Sequence, residues 1–211
     1  MAASETVPLP EPLPLFPLQS VFYPDSRLAL RVFEARYLDL IADCLRRDAP
    51  FGVVCLRQGR EAGPSPQPVV LETVGVLASA GEVDAVEAGI LRVRSRCGQR
   101  FRIVETPAQA GDGLWRANAV PLPPDPHREP GPAMAQTVAA LRQAIGALDA
   151  QGRQPFDEPY RLDDAGWVAN RWCELLPLPL AFKQRLLEVD DPVIRLSLVD
   201  GFLRDKKVIP S

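Results

Sequence analysis

The sequence predicts an α+β fold in which a barrel or sandwich of short antiparallel β-strands comes first and α-helices follow. Short apolar runs, several with period-two alternation, recur over residues 13–125 without the regular strand–helix alternation of a parallel sheet. After a polar, proline-containing linker at residues 127–132, apolar residues recur at helical spacing. With 211 residues, of which 46% are hydrophobic and 24% charged, the chain can bury a substantial core.

A proline-rich but apolar stretch opens the chain. Residues 1–12 are expected to form a flexible tail. Proline lacks the backbone N–H that a strand donates to its neighbour, so Leu13–Leu18 is expected to be a short edge strand and not a central one. Pro24 and Asp25 predict a turn that leads into an extended segment ending at a helix.

One helix is predicted within the strand-rich part of the chain. From Phe33 onward, apolar residues recur at i+4, i+7 and i+8, which predicts an amphipathic helix over about residues 33–47, inserted into a barrel of residues 13–125. Cys97 and Gly98 are expected to form a turn between two strands. The remaining strand signals fall at residues 51–56, 69–86, 90–96, 101–103 and 114–120.

Residues 131–211 are predicted to form a helical subdomain. Asp163 or Asp164 is expected to cap one helix, because a short carboxylate side chain accepts hydrogen bonds from the free N–H groups of a first turn. Asp191 followed by Pro192 is typical of another helix start. An apolar stripe predicts a helix before these two, formed by Met134, Val138, Leu141, Ile145 and Leu148.

The composition argues against several classes of protein. A formal net charge of -3 gives no general attraction to nucleic acid or to an anionic membrane. No apolar run approaches the roughly 20 residues of a transmembrane helix, and the first residues lack the pattern of a signal peptide. We therefore expect a cytoplasmic protein that does not enter a membrane. The 23 prolines and the shortage of lysine indicate a GC-rich bacterial genome.

The sequence contains no recognisable catalytic or metal-binding arrangement. It has no Gly-x-x-x-x-Gly-Lys-[Ser/Thr] phosphate loop, and its single histidine, His127, lies in the linker, where it would not be held against a nucleophile. Lys183, Lys206 and Lys207 are expected on helix surfaces. The four cysteines are widely scattered, which favours reduced, buried thiols. We expect neither enzymatic activity nor a cofactor or metal.

An arginine stripe follows one predicted strand. Arg92, Arg94 and Arg96 alternate with apolar or small residues, so their side chains share one face. Such a stripe could bind RNA or an acidic peptide. The sequence favours a solvated sheet face, with Glu82 or Glu87 supplying opposite charge, because no aromatic side chain on that face is available to stack on a base.

Aromatic residues are concentrated near the start of the chain. Phe16 and Phe33 are expected to be buried anchors of the barrel. Tyr23 and Tyr37 are expected at the rim of an apolar groove, since each hydroxyl prefers water or a hydrogen-bond partner. Beside a proline-broken edge, such a groove could bind an extended peptide. The candidate peptide-binding residues are Phe16, Phe22, Tyr23, Arg36 and Tyr37.

Several ordered motifs resemble those of a known family. They begin with Leu13-Pro-Leu-Phe-Pro-Leu18 and Phe33-Glu-Ala-Arg-Tyr37 and continue with Phe51-Gly-Val-Val54. Near the end of the chain come Leu175-Leu-Pro-Leu-Pro179 and Asp190-Asp-Pro192. Taken in order, they resemble the amino-terminal substrate-recognition domain of the ATP-dependent Lon proteases.

The resemblance implies a PUA-like antiparallel β-barrel followed by a C-terminal α-helical bundle. It also implies a stand-alone relative of that domain, without ATPase or protease domains, that binds unfolded or extended polypeptide segments without catalysis. A separate protease or ATPase is an expected partner. The alternative is an RNA-binding protein that uses the same barrel, although the acidic net charge and the few lysines argue against nucleic acid. A third alternative is a small-molecule enzyme of unrecognised type.

Overall fold

The computed structural model describes residues 9–63 and 66–210. The chain separates into two compact units, of which unit 1 ends at Pro124 and unit 2 begins at Asp125. Unit 1 holds a β-sheet and one long helix, and unit 2 is helical. The predicted α+β class is therefore confirmed. Of the predicted flexible tail, residues 1–8 lie outside the described residues.

Unit 1 is built on a single sheet. Its helix α1 (Ala35–Arg47) lies in the chain between β2 and β3. The strands are β1 (Leu13–Leu18), β2 (Arg27–Val32), β3 (Phe51–Gln58), β4 (Val70–Glu87), β5 (Ile90–Ile103), β6 (Ala108–Gln109), β7 (Trp115–Ala117) and β8 (Ala119–Pro121).

The sheet is mixed and open, so the prediction of an antiparallel barrel was wrong. The strands follow the order β2-β5-β4-β3-β1-β7-β6, with β8 paired to β5 beyond the end of β2. Among the described residues, β2 and β6 at the two ends do not pair, so the sheet does not close. β1 and β3 pair in parallel, from Leu15 opposite Gly52 to Leu18 opposite Cys55. A parallel pair needs a long crossover connection, and here that connection includes α1.

The expectation that β1 is an edge strand was also wrong. β1 lies between β3 and β7, and its Leu13 and Leu15 are fully buried. Pro14 lies opposite Arg116 of β7, and Pro17 lies opposite Val54 of β3. Successive residues of a strand turn their backbone groups to opposite sides, so each proline removes a donor from one neighbour only. The apolar side chains of β1 compensate for the missing bonds by burial.

The turn expected at Cys97 and Gly98 does not form. β5 runs through both residues as one continuous strand. Opposite them, the pairing with β4 shifts register between Val76 and Ala78, as it does at a β-bulge. The register shift therefore occurs within the β4–β5 pairing, and the chain does not reverse direction there. Arg100 lies beyond the shift and is buried.

The core of unit 1 centres on Phe101, which is fully buried. A Cβ added at Gly52 would lie 2.8 Å from Phe101 Cζ, and one added at Gly75 would also meet the ring and the backbone of Val53. Glycine at these two positions allows the aromatic ring to lie directly on the strands β3 and β4. The cluster of buried apolar residues is Leu13, Leu15, Val54, Leu77, Phe101, Ile103 and Ala117.

In unit 2, a 3₁₀ turn (Pro132–Met134) is followed by α2 (Ala135–Asp149), α3 (Ala165–Leu175), α4 (Leu180–Glu188) and α5 (Pro192–Asp205). Asp164 caps α3, because its Oδ1 accepts a hydrogen bond from Gly166 N at 3.0 Å. Asp191 caps α5 by accepting from Val193 N at 2.8 Å. Both caps were predicted from sequence, although the choice between Asp163 and Asp164 was left open.

A buried arginine connects the elements of unit 2. The Arg195 side chain is fully buried, and its Nε donates to Leu186 O at 3.0 Å. Its Nη1 donates to Asn170 Oδ1 at 3.0 Å and its Nη2 to Asp125 Oδ1 at 3.1 Å. A buried guanidinium requires such a set of acceptors, because an unpaired buried charge is strongly unfavourable. Arg195 thereby joins α5 to α3, to the end of α4 and to the first residue of unit 2.

Within residues 9–63 and 66–210, no helix is both long and apolar enough to cross a bilayer. In the same residues, no three His, Cys, Asp or Glu side chains are grouped so that they could hold a metal ion. The four cysteines are buried free thiols.

Candidate peptide-binding groove

An aromatic stack joins β1 to the first turn of α1. The Phe16 and Tyr37 ring centroids lie 4.1 Å apart, with the planes at 24°. Phe16 also packs against Phe51 of β3, at a centroid distance of 6.2 Å. Phe16 is 7% exposed and Tyr37 is 4% exposed, so neither ring lies freely in solvent. The expectation that Phe16 is a buried anchor is confirmed.

Arg36 holds this stack from the helix side. Its Nη1 donates to Gly113 O at 3.0 Å, and its Nη2 donates to Glu34 Oε2 at 2.8 Å. Its guanidinium carbon lies 4.7 Å from the centroid of the Tyr37 ring, within the range of a cation–π interaction. Arg36 therefore fixes the orientation of Tyr37 and ties α1 to the loop that precedes β7.

The Tyr37 hydroxyl stays neutral at physiological pH. Burial raises the pKa of Tyr37, and the positive charge of Arg36 partly opposes this by favouring the phenolate. Glu34 and Glu61 act in the same direction as burial. Tyr37 is therefore an uncharged aromatic residue, which suits its packing on the ring of Phe16.

Phe33 is exposed, so the prediction that it is a buried anchor was wrong. Its side chain is 54% exposed. The helical stripe that placed it in the core does not apply, since α1 begins at Ala35 and Phe33 belongs to the connection after β2. The exposed residue lines a groove of about 280 Å³. We call this the β2 groove; its apolar lining includes Phe16, Leu18, Leu30, Val32, Phe33 and Tyr37.

A second groove, of about 300 Å³, adjoins the first and shares Tyr37 and Glu61 with it. Arg36 and Arg60 line it together with Trp115. Three charged residues line each groove, but this Arg36 groove is the more polar, because Gln67 and Gln109 line it as well and fewer apolar side chains do. Tyr37 thus contributes to the walls of both grooves.

Phe22 and Tyr23 do not line either groove. Tyr23 is fully buried, and its backbone N–H donates to Ser26 Oγ at 2.9 Å. It precedes the turn at Pro24 and Asp25, where the sequence predicted one, and Asp25 has a φ of 67°. The expectation that Tyr23 lies at a groove rim was therefore wrong. Phe22 is half-buried.

The arginine stripe lies on the exposed face of β5, as its alternation predicted. Arg94 pairs with Glu82 and, at 3.2 Å, with Asp84. The structure adds two exposed arginines from β2, since Arg27 lies opposite Arg96 and Arg31 lies opposite Arg92. The stripe is thus wider than the sequence indicated, and acidic residues of β4 partly neutralise it.

A model of the family described as the ATP-dependent protease La (LON) substrate-binding domain matches residues 12–205. The chain belongs to this family. The matched range includes β1, both grooves and the five α-helices of the described residues. The family resemblance seen in the motifs of the sequence is therefore confirmed.

One relative of this Lon substrate-binding domain is a much longer protein. Lon protease 2 of Myxococcus xanthus is 27% identical over 203 residues, which cover 95% of this chain and 24% of that protein. The chain therefore spans about a quarter of the length of that relative.

Two solved structures are similar to this Lon domain. The Lon N-terminal domain protein from Xanthomonas campestris is 32% identical, with a TM-score of 0.73 and coverage of 90% of this chain and 96% of that one. The N-terminal domain of the Mycobacterium avium complex Lon protease is 16% identical, with a TM-score of 0.64 and coverage of 92% and 98%. The second likeness concerns the fold alone.

Sequence reasoning missed the exposed Phe33 and the role of β2 in the groove. Leu30 and Val32 alternate with exposed residues in β2, a pattern that indicates a half-buried strand but not which edge of it is free. No capping signal in the sequence marks the start of α1 after Phe33, because the N-cap residue is Glu34, whose side chain makes no cap hydrogen bond.

Proposed function

We propose that this chain binds extended or unfolded polypeptide segments without catalysis and that the β2 groove is the binding site. The observation that carries this proposal is the exposure of Phe33 beside a groove lined by aliphatic and aromatic side chains. A large aromatic ring left in water beside an apolar groove is a common mark of an interaction site. The name of the matched family, a substrate-binding domain, supports the same function.

The chemistry of the groove favours binding over reaction. Its lining is mainly apolar, and Glu34, one of its few charged residues, is engaged by Arg36. His127 is exposed between β8 and α2, outside the lining of the β2 groove. Apolar burial of about 25 cal/mol per Å² would supply most of the affinity, and polar contacts at the rim would add specificity.

Two more specific expectations, on the architecture of the two units and on the partner protein, belong to the same proposal. Unit 1 is a PUA-like scaffold in an open form, and the helices of unit 2 form a bundle. The domain delivers polypeptide to a separate protease or ATPase of the Lon type, which the name of the M. xanthus relative supports.

RNA binding is a second candidate, because the exposed arginines of β2 extend the stripe on β5. Glu82 and Asp84 on the neighbouring strand weaken this candidate, since they already pair with Arg94. If RNA were the ligand, its affinity would fall steeply with salt as counterions are released.

The proposed function is tested by fluorescence anisotropy with a labelled, permanently unfolded polypeptide, such as a reduced and carboxymethylated protein. Phe33→Asp should weaken binding about tenfold, which corresponds to ~1.4 kcal/mol. The matched control is Val104→Asp, because Val104 is equally exposed at 54% in the same unit but lines none of the grooves described above. Absence of binding by the unsubstituted protein, or equal effects of the two substitutions, would contradict the proposal.

A further inference from the structure

β2 presents a free backbone edge. It lies at one end of the strand order and pairs with β5 on one side, and no other described strand pairs with it. Cys97 N donates to Ser26 O at 2.9 Å, while Cys97 O accepts from Asp25 N at 2.8 Å, so the ladder starts at a bulge in which the Ser26 carbonyl faces β5. Because successive residues of a strand turn their backbone groups to opposite sides, Leu28 and Leu30 face β5 as the Ser26 carbonyl does, and Ala29 and Arg31 turn their N–H and C=O groups away from it.

The free edge runs along the β2 groove. Ala29, Leu30 and Arg31 line this groove from β2, while Phe16 and Leu18 line it from β1. The groove therefore lies between the unpaired edge of β2 and the face of β1. A chain that occupied it could bond to the edge through its backbone while alternate side chains entered the apolar lining.

The charge beside this edge favours an acidic occupant. On the exposed face of β2, the side chains of Arg27 and Arg31 flank Ala29. A strand added to β2 would place its own exposed side chains next to these arginines. Arg31 has Glu87 at 3.9 Å, and both side chains are about two-thirds exposed, so this pair is easily displaced.

The same charges disfavour a second copy of this chain as the occupant. If two copies of β2 paired antiparallel and centred on Ala29, Arg27 of one copy would lie opposite Arg31 of the other. Like charges in directly opposed positions destabilise a strand pair, and these contacts would add to the two opposed arginine pairs that β2 already forms with β5. Charged side chains of this kind commonly protect an exposed sheet edge from self-association.

We infer that the ligand binds as an added β-strand on the free edge of β2, and that the preferred segment alternates apolar residues facing the groove with acidic residues facing Arg27 and Arg31. This inference rests on the proposed function and specifies its substrate class. Peptide is favoured over RNA because the groove is apolar and because the free backbone edge is matched by another polypeptide backbone.

The first test uses labelled ten-residue peptides in an anisotropy titration with the whole chain. A peptide of alternating Val and Glu should bind at least tenfold more tightly than its Val/Lys counterpart. Two further versions carry N-methyl groups either on every Val or on every Glu. One of the two sets of N–H groups would face β2, so one methylated version should lose binding and the other should retain it.

The second test changes the edge itself. Ala29→Pro removes an N–H that the β2–β5 ladder does not use, so it should abolish binding of the Val/Glu peptide while an unchanged thermal melt shows that the fold is intact. Arg31→Glu should reverse the preference between the Glu and Lys peptides. Arg153→Glu, an equal change of charge at an exposed loop position of unit 2, should not.

The outcomes distinguish a failure of the proposed function from a failure of strand addition alone. If no peptide and no unfolded polypeptide binds, the proposed function fails and the inference fails with it. If Phe33→Asp weakens binding but N-methylation and Ala29→Pro do not, the groove binds polypeptide and strand addition is overturned. If poly(U) RNA displaces the labelled peptide at a physiological salt concentration of about 0.15 M, the preference for peptide is overturned.

Discussion

Phe16 of β1 stacks on Tyr37 of α1, with ring centroids 4.1 Å apart. The stack is a wall of the β2 groove and at the same time part of the core of unit 1. The groove wall is therefore fixed before any ligand arrives. A preformed wall lowers the entropy that binding must overcome, because its side chains are already ordered.

Phe16 and Phe33 should respond differently to truncation, although both line the groove. Phe16→Ala should lower the free energy of unfolding by about 3–5 kcal/mol, because it removes a buried ring between Tyr37 and Phe51. Phe33→Ala should change it by no more than about 0.5 kcal/mol, since the ring is exposed. Urea denaturation followed by tryptophan fluorescence measures the free energy of unfolding of both variants. An equal decrease in the two would contradict the assignment of Phe33 to the surface.

Arg195 should be essential to the stability of unit 2. Arg195→Met should destabilise the chain by about 3–5 kcal/mol, because Asp125 and the acceptors of Asn170 and Leu186 would lose their donor. Arg195→Lys should also be strongly destabilising, since one ammonium group cannot reach the same acceptors. The control is Arg153→Met at an exposed position. A loss below about 1 kcal/mol for Arg195→Met would argue against the buried network.

The two adjacent carboxylates before α3 should have unequal effects. Asp164→Ala should cost about 1 kcal/mol, because the side chain accepts hydrogen bonds from Gly166 N and Trp167 N. Asp163→Ala is a matched control, since the residue is exposed and one position earlier. Thermal melts of both variants measure this difference. A larger loss of stability for Asp163→Ala would show that the cap is assigned to the wrong residue.

Cys44 and Cys55 should make stability fall at alkaline pH. Burial raises the pKa of each thiol from 9.0 to about 11. The folded state thus keeps protons that the unfolded state releases above pH 9, so this contribution is full below pH 9 and is lost as the pH rises toward 11. Urea denaturation at several pH values across this range should show the decline. It should be shallower in a Cys44→Ala, Cys55→Ala double variant.

Local features of the fold were predictable from sequence because their causes are local. Helix α1, the turn at Pro24 and Asp25 and the caps before α3 and α5 follow from spacing and from the side chains at their ends. The parallel pairing of β1 with β3 depends on residues far apart in sequence. Periodicity reports which face of a strand is buried, but it does not report the neighbour.

The candidate site was predictable only in part, for the same reason. Phe16, Arg36 and Tyr37 were selected as aromatic and basic residues of one short span, and the structure brings them into contact. Tyr23 belongs to the same span but turns into the core. The direction of each side chain depends on the turn between them and on where α1 begins. Proximity in sequence does not determine these directions.

The central position of β1 also bears on the order of folding. Leu13–Leu18 is among the first described segments of the chain, yet its partner Trp115–Ala117 lies almost at the end of unit 1. During synthesis, the pairing of β1 with β7 must wait until nearly all of unit 1 has emerged. Contacts between such distant segments slow folding, because a long loop must close before the contact forms. Until then, β3 is the one of its two sheet partners that β1 can pair with, and the edge of β1 toward β7 is open to pairing with other chains.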